Sequence, residues 1–366
     1  MDIALVHPEL IYPRGAEKQL SKLAFHLSKK GHTVTVYTFE KADPYIFDPL
    51  LERCTVVALG KRWKSRNFLL NYPRWHSMCK ELASKLDHDH DLINCHNFPA
   101  SWVSGFSSKP AVWMCNEPPG LYSYMKKGFS LKKALYPAFS IFDRRMCRRI
   151  RTIAALDERM KKIISLGYPD KEITVVGSGA ELDRRVVHID NGATDLLSVA
   201  ALDPHKRPLD IIEAIAASGK KIRAHFVGTG PLEEAVRRRA SELGVELTMY
   251  GNVGDEKLYE LYSLADLSVF VPEAQPWGIF PLESILSGIP TIISDETGVR
   301  DILGDKIPVV KTGAVGDLAS RMKDMIENPD RYRPGLKESM KMLAERYTWE
   351  AYSVRMSGLF RKLVSE

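Results

Sequence analysis

The stretch Val271-Pro-Glu-Ala-Gln-Pro-Trp-Gly-Ile-Phe-Pro-Leu-Glu-Ser-Ile-Leu-Ser-Gly-Ile-Pro290 reads as a strand end, a glycine-containing turn, a short helix and a stop. Pro281 falls in the first helical turn, where a missing N–H is tolerated, so the backbone N–H groups near Gly278, Ile279 and Phe280 are placed to face an anion such as a phosphate. Glu283 follows in the same turn, and Gly288 with Pro290 ends the helix. Gln275 stands eight positions before Glu283, which puts both polar side chains near one rim, where they could hold hydroxyls attached to that phosphate. A sugar nucleotide has this chemistry.

Outward from this motif the chain shows two series of alternating strands and helices. Ile3 to Val6 is an apolar strand, a loop runs to Gly15, and Ala16 to Lys30 carries Leu20, Leu23, Ala24 and Leu27 at helical spacing. Thr33 to Thr38 is the next strand, so the chain opens as a βαβ unit with a parallel sheet. Leu92–Cys95 and Ala111–Cys115 continue it, each ending in a polar cluster: His96-Asn97 and Asn116-Glu117. Ligands of open α/β sheets bind at such carboxyl ends.

The second series is Leu196–Ala200, a helix from Pro208, Lys221–Val227, a helix from Pro231, Val245–Tyr250, a helix over Glu256–Ala265, and Leu267–Val271. The expected fold class is therefore α/β, with two Rossmann-like doubly wound domains facing a central cleft. The hinge is expected within Gly177–Arg185, where strand periodicity lapses, with domains over 1–187 and 188–346.

Length and composition fit this division. A chain of 366 residues exceeds one compact core, and 45% hydrophobic residues suffice for two. No apolar run reaches the roughly 18 residues a membrane helix needs, and Met1-Asp2-Ile3 leads straight into a strand without a signal peptide, so a cytoplasmic protein is expected. The five cysteines have no CxxC pairing and read as reduced thiols. Asp190 and Asp195 flank Asn191-Gly192 as part of a turn, and no Asp-x-Asp motif accompanies a nucleotide loop, so no metal is expected. The net charge of +6 is mild, and nothing resembles a nucleic-acid module.

On the second sheet, Lys206 and Arg207 fall in a strand-to-helix loop, and Gly228-Thr-Gly230 forms a turn after the next strand. With the helix at Pro281 they make three phosphate-compatible elements on one sheet edge. Gly15-Ala-Glu17, Lys206-Arg207, Phe226-Val-Gly-Thr-Gly-Pro231, Tyr250-Gly-Asn-Val253 and Gln275-Pro-Trp-Gly-Ile-Phe-Pro-Leu-Glu283 together resemble family 4 of the retaining glycosyltransferases, which have the GT-B fold. The resemblance covers nearly the whole chain and extends to Tyr347-Thr-Trp-Glu350, similar to the family's closing helix, which crosses back onto the first domain.

The resemblance implies that Lys206 holds the donor diphosphate, that Glu283 bonds the donor ribose as the second glutamate of an E-x7-E motif, and that the Arg14-Gly15-Ala16 loop approaches the diphosphate. It implies transfer by front-face attack, with no protein nucleophile and no metal, the leaving diphosphate helping to deprotonate the acceptor. The chain departs from the family at Gln275, where the first glutamate stands, at Ala201 for an arginine, at Arg14 for a glycine, and at Asn116 for a histidine. Gln275 can still bind sugar hydroxyls, Arg207 or Arg14 could replace the missing cation, and Asn116 bonds without titrating near neutral pH. His96 reads either as an acceptor-side hydrogen-bonder or general base, or as a packed core histidine.

Trp113 to Pro119 resembles an element of mannosyltransferases acting on lipid-linked glycans, which makes GDP-mannose the leading donor and a glycan or lipid-linked acceptor the partner. A catalytically degenerate member that binds a nucleotide sugar or a partner glycosyltransferase is the alternative, and an epimerase or phosphorylase of the same fold is a weaker one. Residues 126–151 carry Lys126, Lys127, Lys132, Lys133, Arg144, Arg145, Arg148, Arg149 and Arg151 among Phe129, Leu131, Leu135, Tyr136, Phe139, Ile141 and Phe142, with Asp143 as the one acid. This segment reads either as a surface helix over ordinary core or as a patch that docks on anionic lipid at the membrane's inner face.

Overall fold

The computed structural model describes all residues except 13, 63–67, 87–88, 120–130, 183 and 366, and the side chains of 68–70 and 131–135 lie outside the described set as well. The chain divides into two units, one of Met1–Gly179 with Trp349–Glu366 and the other of Ala180–Thr348.

In the first unit the elements run β1 (Asp2–Leu10), α1 (Gly15–Lys29), β2 (Thr33–Lys41), α2 (Asp48–Leu51), β3 (Thr55–Ala58), α3 (Phe68–Ala83), β4 (Leu92–His96), β5 (Ala111–Met114), α4 (Leu131–Met146), β6 (Ile150–Ala155), α5 (Glu158–Gly167) and β7 (Glu172–Val175). Among the described residues the strands form a parallel sheet of order β3-β2-β1-β4-β5-β6-β7. Strand order reverses at β1/β4, the topological switch point where such sheets receive ligands. Alternation sends Ala4, Val6, Ile93, Cys95, Ala111, Trp113 and Cys115 into one core with Trp75, Trp102 and Met160. Leu5, His7, Asn94, His96 and Met114 therefore occupy the opposite face, and α1 packs against β1. The first strand extends to Leu10, four residues beyond the apolar run, because parallel pairing with β2 continues through Glu9 and Leu10.

The second unit comprises β8 (Thr194–Val199), α6 (Pro208–Ser218), β9 (Ile222–Val227), α7 (Glu233–Glu242), β10 (Glu246–Met249), α8 (Asp255–Leu264), β11 (Leu267–Phe270), α9 (Ile279–Leu286), β12 (Thr291–Ser294), α10 (Arg300–Leu303), β13 (Val309–Val310), α11 (Val315–Glu327) and α12 (Pro329–Arg346). Its sheet is parallel in the order β10-β9-β8-β11-β12-β13, with the switch point at β8/β11. One face packs Leu196, Ala224, Phe226 and Val269 on Ile212, Ile215 and Met322; the other packs Leu197, Val227 and Phe270 on Leu261, Tyr262 and Phe280. A sheet buried on both faces accounts for the near-continuous apolar strands.

The division falls at Gly179/Ala180, inside the expected hinge but ahead of 187/188, because Leu182 and Val186 already pack against the second unit's core. The last helix, α13 (Trp349–Ser365), belongs to the first unit, where the Arg355 guanidinium donates to the Val176 carbonyl at 2.6 Å and to the Ser178 carbonyl at 3.0 Å. Helix α7 opens at Glu233 rather than Pro231, since Leu232 N–H is held by the Leu202 carbonyl at 3.0 Å. No helix among the described residues is long and apolar enough to cross a membrane.

Candidate functional site

Two loci stand out, one at each sheet's switch point. In the second unit the loops after β8, β11 and β12 are laced by backbone bonds: Glu273 N–H to His205 O at 2.7 Å, Gln275 N–H to Glu296 O at 3.1 Å, and Gly298 N–H to Gln275 O at 2.9 Å. Ala274 adopts a left-handed backbone, with φ 53°, and its N–H donates to the Glu296 carboxylate at 2.8 Å. This framework brings Lys206 to Gln275, whose side-chain carbonyl accepts a hydrogen bond from the Lys206 ammonium. The ammonium also lies 5.7 Å from the Phe270 ring centre. Arg207 diverges from its neighbour: its backbone is left-handed at φ 54°, and its guanidinium pairs with Asp210 at 2.7 Å above Gly313.

Helix α9 begins beside this pair. Gly278 precedes it at φ 135°, and a side chain there would meet Phe270, Pro281 and Thr297 at 3.1 to 3.2 Å, so only glycine lets the turn close. The first-turn amides of Ile279 and Phe280 have no intrahelical acceptor, and Pro281 in that turn has none to offer. Glu283 lies one turn in, buried, with its carboxylate accepting from the Tyr262 hydroxyl at 3.1 Å. Burial and then the Glu283 carboxylate hold the Tyr262 phenol well above its ordinary range, so it stays a donor.

Gly228 and Gly230 serve close backbone approach. A Cβ on Gly228 would lie 2.1 Å from Ala200 O, and one on Gly230 would lie 2.6 Å from the Leu202 backbone. Gly228 N–H is engaged by Gly251 O at 2.7 Å and is not available to an anion, while Leu202 N–H bonds Thr229 O at 3.0 Å. The glycines thus brace the loop that carries Lys206. Asp195 takes no part: burial would raise its pKa, but hydrogen bonds from Arg223, Asn191 and His225 bring it down to about 2.

In the first unit His96 ends β4 fully buried, with Nε2 2.8 Å from Asn94 Oδ1. His7, on β1, stands 6.5 Å away between ring centres and bonds Glu9 O through Nδ1 at 2.6 Å, while Asn97 Nδ2 lies 3.3 Å from its Nε2. Burial pushes His7 down to about 4, and burial with the neighbouring His7 holds His96 well below the ordinary range; both rings are neutral at pH 7. His96 is therefore packed, though its Nδ1 is unpartnered among the described residues, as is Oδ1 of Asn116 beyond β5. Arg14 and Gly15 are exposed at the start of α1, with the Arg14 guanidinium 4.8 Å from the Tyr12 ring centre.

The basic segment is partly core. Lys126, Lys127 and Phe129 lie outside the described residues, as do the side chains of Leu131, Lys132, Lys133 and Leu135. Phe139 packs on Tyr72, Phe98 and Trp102, and Phe142, 40% exposed, sets its ring 5.2 Å from that of Trp102, whereas Ile141 is 70% exposed; Arg144, Arg145, Arg148, Arg149 and Arg151 are exposed as well. Asp143 faces inward rather than outward, accepting from Trp102 Nε1 at 2.6 Å and from the Tyr168 hydroxyl. Burial outweighs these bonds and pushes its carboxyl up to about 6.

Sequence reasoning named Asn97 as part of a strand-end polar cluster but missed His7, Tyr262 and the Glu296–Gly298 loop. A polar residue ending an apolar strand would have found His7 as it found His96, whereas Tyr262 sits at an ordinary helical core position and gave no signal.

Comparison with known sequences and structures adds relatives to this geometry. Residues 13–184 match the sequence family Glycosyltransferase Family 4, and residues 179–345 match Glycosyl transferases group 1. A GDP-mannose-dependent alpha-(1-6)-phosphatidylinositol dimannoside mannosyltransferase of Mycobacterium tuberculosis is 24% identical over 156 residues, 41% of this chain and 38% of that enzyme. The chain thus aligns with well under half of that relative's length. A sucrose-phosphate synthase from Thermosynechococcus elongatus superposes with a TM-score of 0.80 at 15% identity, covering 100% of this chain and 99% of that one. Anabaena HepE in complex with UDP-glucose superposes with a TM-score of 0.78 at 15% identity, covering 99% and 100%.

Proposed function

Because the chain belongs to the glycosyltransferases of group 1 and family 4 and has their GT-B fold, we propose that it is a retaining glycosyltransferase moving a sugar from a nucleotide-diphosphate sugar to a glycan or lipid-linked acceptor. The observation that carries this reading is the second unit's switch point, where the Lys206 ammonium bonds Gln275 in the loop that leads into α9, the helix that carries buried Glu283. The cation and the amides would stabilise the diphosphate as its leaving bond breaks, and Glu283 would accept a hydrogen bond from the donor ribose. The reaction needs no metal on this reading.

GDP-mannose is the leading donor, supported by the mycobacterial relative's name; HepE, a fold neighbour, is described with UDP-glucose, which makes UDP-sugars the direct competitors. Thermal unfolding with GDP-mannose, UDP-glucose and ADP-glucose decides among them, since a ligand at a hundred times its dissociation constant stabilises by about 2.7 kcal/mol. Product anomers read by NMR test retention. No stabilisation by any of the three would remove the assignment. Gln275 in place of a glutamate favours the degenerate alternative, and a gain of transfer from none in Gln275→Glu would establish it.

The protein on this reading is cytoplasmic and peripheral to the membrane's inner face. The outward face of α4, with Ile141 beside exposed arginines, supports docking on anionic lipid. Flotation with phosphatidylcholine vesicles with and without phosphatidylglycerol tests this, and equal recovery would reject it.

A further inference from the structure

We propose that Glu296 is a positioning residue for the donor site: its side chain holds Ala274 in a left-handed backbone conformation, and that conformation aims the next residue, Gln275, at the Lys206 ammonium. This rests on the glycosyltransferase reading and adds to it the residue that sets the geometry of the Lys206–Gln275 pair.

Three consecutive N–H groups fix the loop after β11. Glu273 N–H donates to His205 O at 2.7 Å, Ala274 N–H to the Glu296 carboxylate at 2.8 Å, and Gln275 N–H to Glu296 O at 3.1 Å. The first acceptor belongs to the turn Pro204–Lys206, and the other two to the loop after β12. Two of the three bonds run from backbone to backbone and do not depend on side-chain identity. The middle one ends on a side chain, so a substitution can remove it without touching the others.

The middle residue is also the one that needs holding. Ala274 has φ 53°, where its Cβ crowds the backbone and which residues other than glycine seldom enter. A carboxylate accepting a backbone N–H makes a charge-assisted bond, stronger than a neutral one, which suits a disfavoured backbone. The loop that carries Glu296 is itself anchored. The Ser294 hydroxyl donates to Pro272 O at 2.7 Å, Asp295 accepts from Thr312 N–H at 2.8 Å, and Thr297 bridges to Gln275 in parallel register.

Relaxation of Ala274 to negative φ would re-aim Gln275 and take its side-chain carbonyl away from the Lys206 ammonium. Glu296 also places a negative charge in the loop beside a site read as binding a diphosphate, so its two effects have opposite signs. Deleting the charge alone would strengthen anion binding, whereas deleting the hold weakens it.

Calorimetric titration of the full chain with GDP, GMP, UDP and UMP tests this, together with hydrogen exchange of the Ala274 amide in the nucleotide-free protein. Glu296 is partly exposed, so Glu296→Ala is expected to fold. It should speed that exchange by about tenfold or more. It should also lower the preference for diphosphate over monophosphate by about fivefold or more, since Lys206 is read as holding the diphosphate. General damage to the fold would weaken both nucleotides alike and leave the ratio unchanged. Glu296→Gln keeps an acceptor oxygen and should stay within about threefold of wild type. Ala274→Gly added to Glu296→Ala should bring the ratio back to within about threefold, because glycine enters positive φ without the Cβ penalty.

The proposal is overturned if Glu296→Ala leaves the ratio unchanged or raises it, if the added glycine restores nothing, or if exchange at Ala274 does not change. Absence of any nucleotide binding by the wild-type chain would remove the glycosyltransferase reading and this role with it. Faster Ala274 exchange in Glu296→Ala would then still show the hold itself, because that measurement needs no nucleotide.

Discussion

Replacing Asp143 with asparagine should change how stability depends on pH, by an amount the structure sets. The carboxyl is buried on the inner face of α4 between the Trp102 indole and the Tyr168 hydroxyl, and burial moves it from an ordinary 3.8 to about 6. A folded-state value above the unfolded one means that the protonated form is favoured in the fold, so its stabilisation is present at low pH and is lost as pH rises through about 6. A displacement of roughly two pH units corresponds to about 3 kcal/mol, of which about 2 kcal/mol should appear between pH 4.5 and 7.5. The amide of Asp143→Asn would keep the shape and an acceptor for the indole but cannot titrate. Urea unfolding followed by tryptophan fluorescence, repeated across that range, gives the wild-type minus variant difference. The subtraction cancels His7, which runs the opposite way because its folded value is depressed to about 4 and its contribution is lost as pH falls. A difference curve flat within about 0.5 kcal/mol, or one rising with pH, would refute the burial argument.

Lys206→Ala should lower transfer by about 10²-fold to 10³-fold, the scale for losing one group that stabilises developing charge, with the circular-dichroism spectrum unchanged; near-normal rates would remove Lys206 from the diphosphate site. Gly230→Ala places a Cβ 2.6 Å from the Leu202 backbone and should cost the second unit at least about 2 kcal/mol, read as a lower urea midpoint. EDTA treatment followed by desalting should leave donor-sugar stabilisation and transfer unchanged, and activity restored only by added Mg²⁺ or Mn²⁺ would contradict metal-free transfer.

Much of the fold was legible because period-2 apolar strands and capped helices are local signals. The motif at 271–290 marked the turn and the start of the helix, since Gly278 and Pro281 act through their own backbones. The glycines of 228–230 were legible as special, but their steric reason was not. Their constraint is the Ala200–Leu202 loop, which is distant in sequence and adjacent only after the sheet has formed. Asp143 shows the same limit: the sequence marks it only as the one acid among many cations, and the helix phase against Trp102 and Tyr168 turns it inward.

By itself the sequence determined two α/β units, the loops at the strand carboxyl ends, and Lys206, Glu283 and His96 as residues to watch, because strand alternation and turn chemistry are properties of neighbouring residues. Tertiary structure alone decided that Lys206 bonds Gln275 while Arg207 turns to Asp210, that Glu283 is buried against Tyr262, and that His96 packs beside His7. Those outcomes depend on which distant loops meet across a parallel sheet, and proton positions in a buried network are fixed only when every partner is in place.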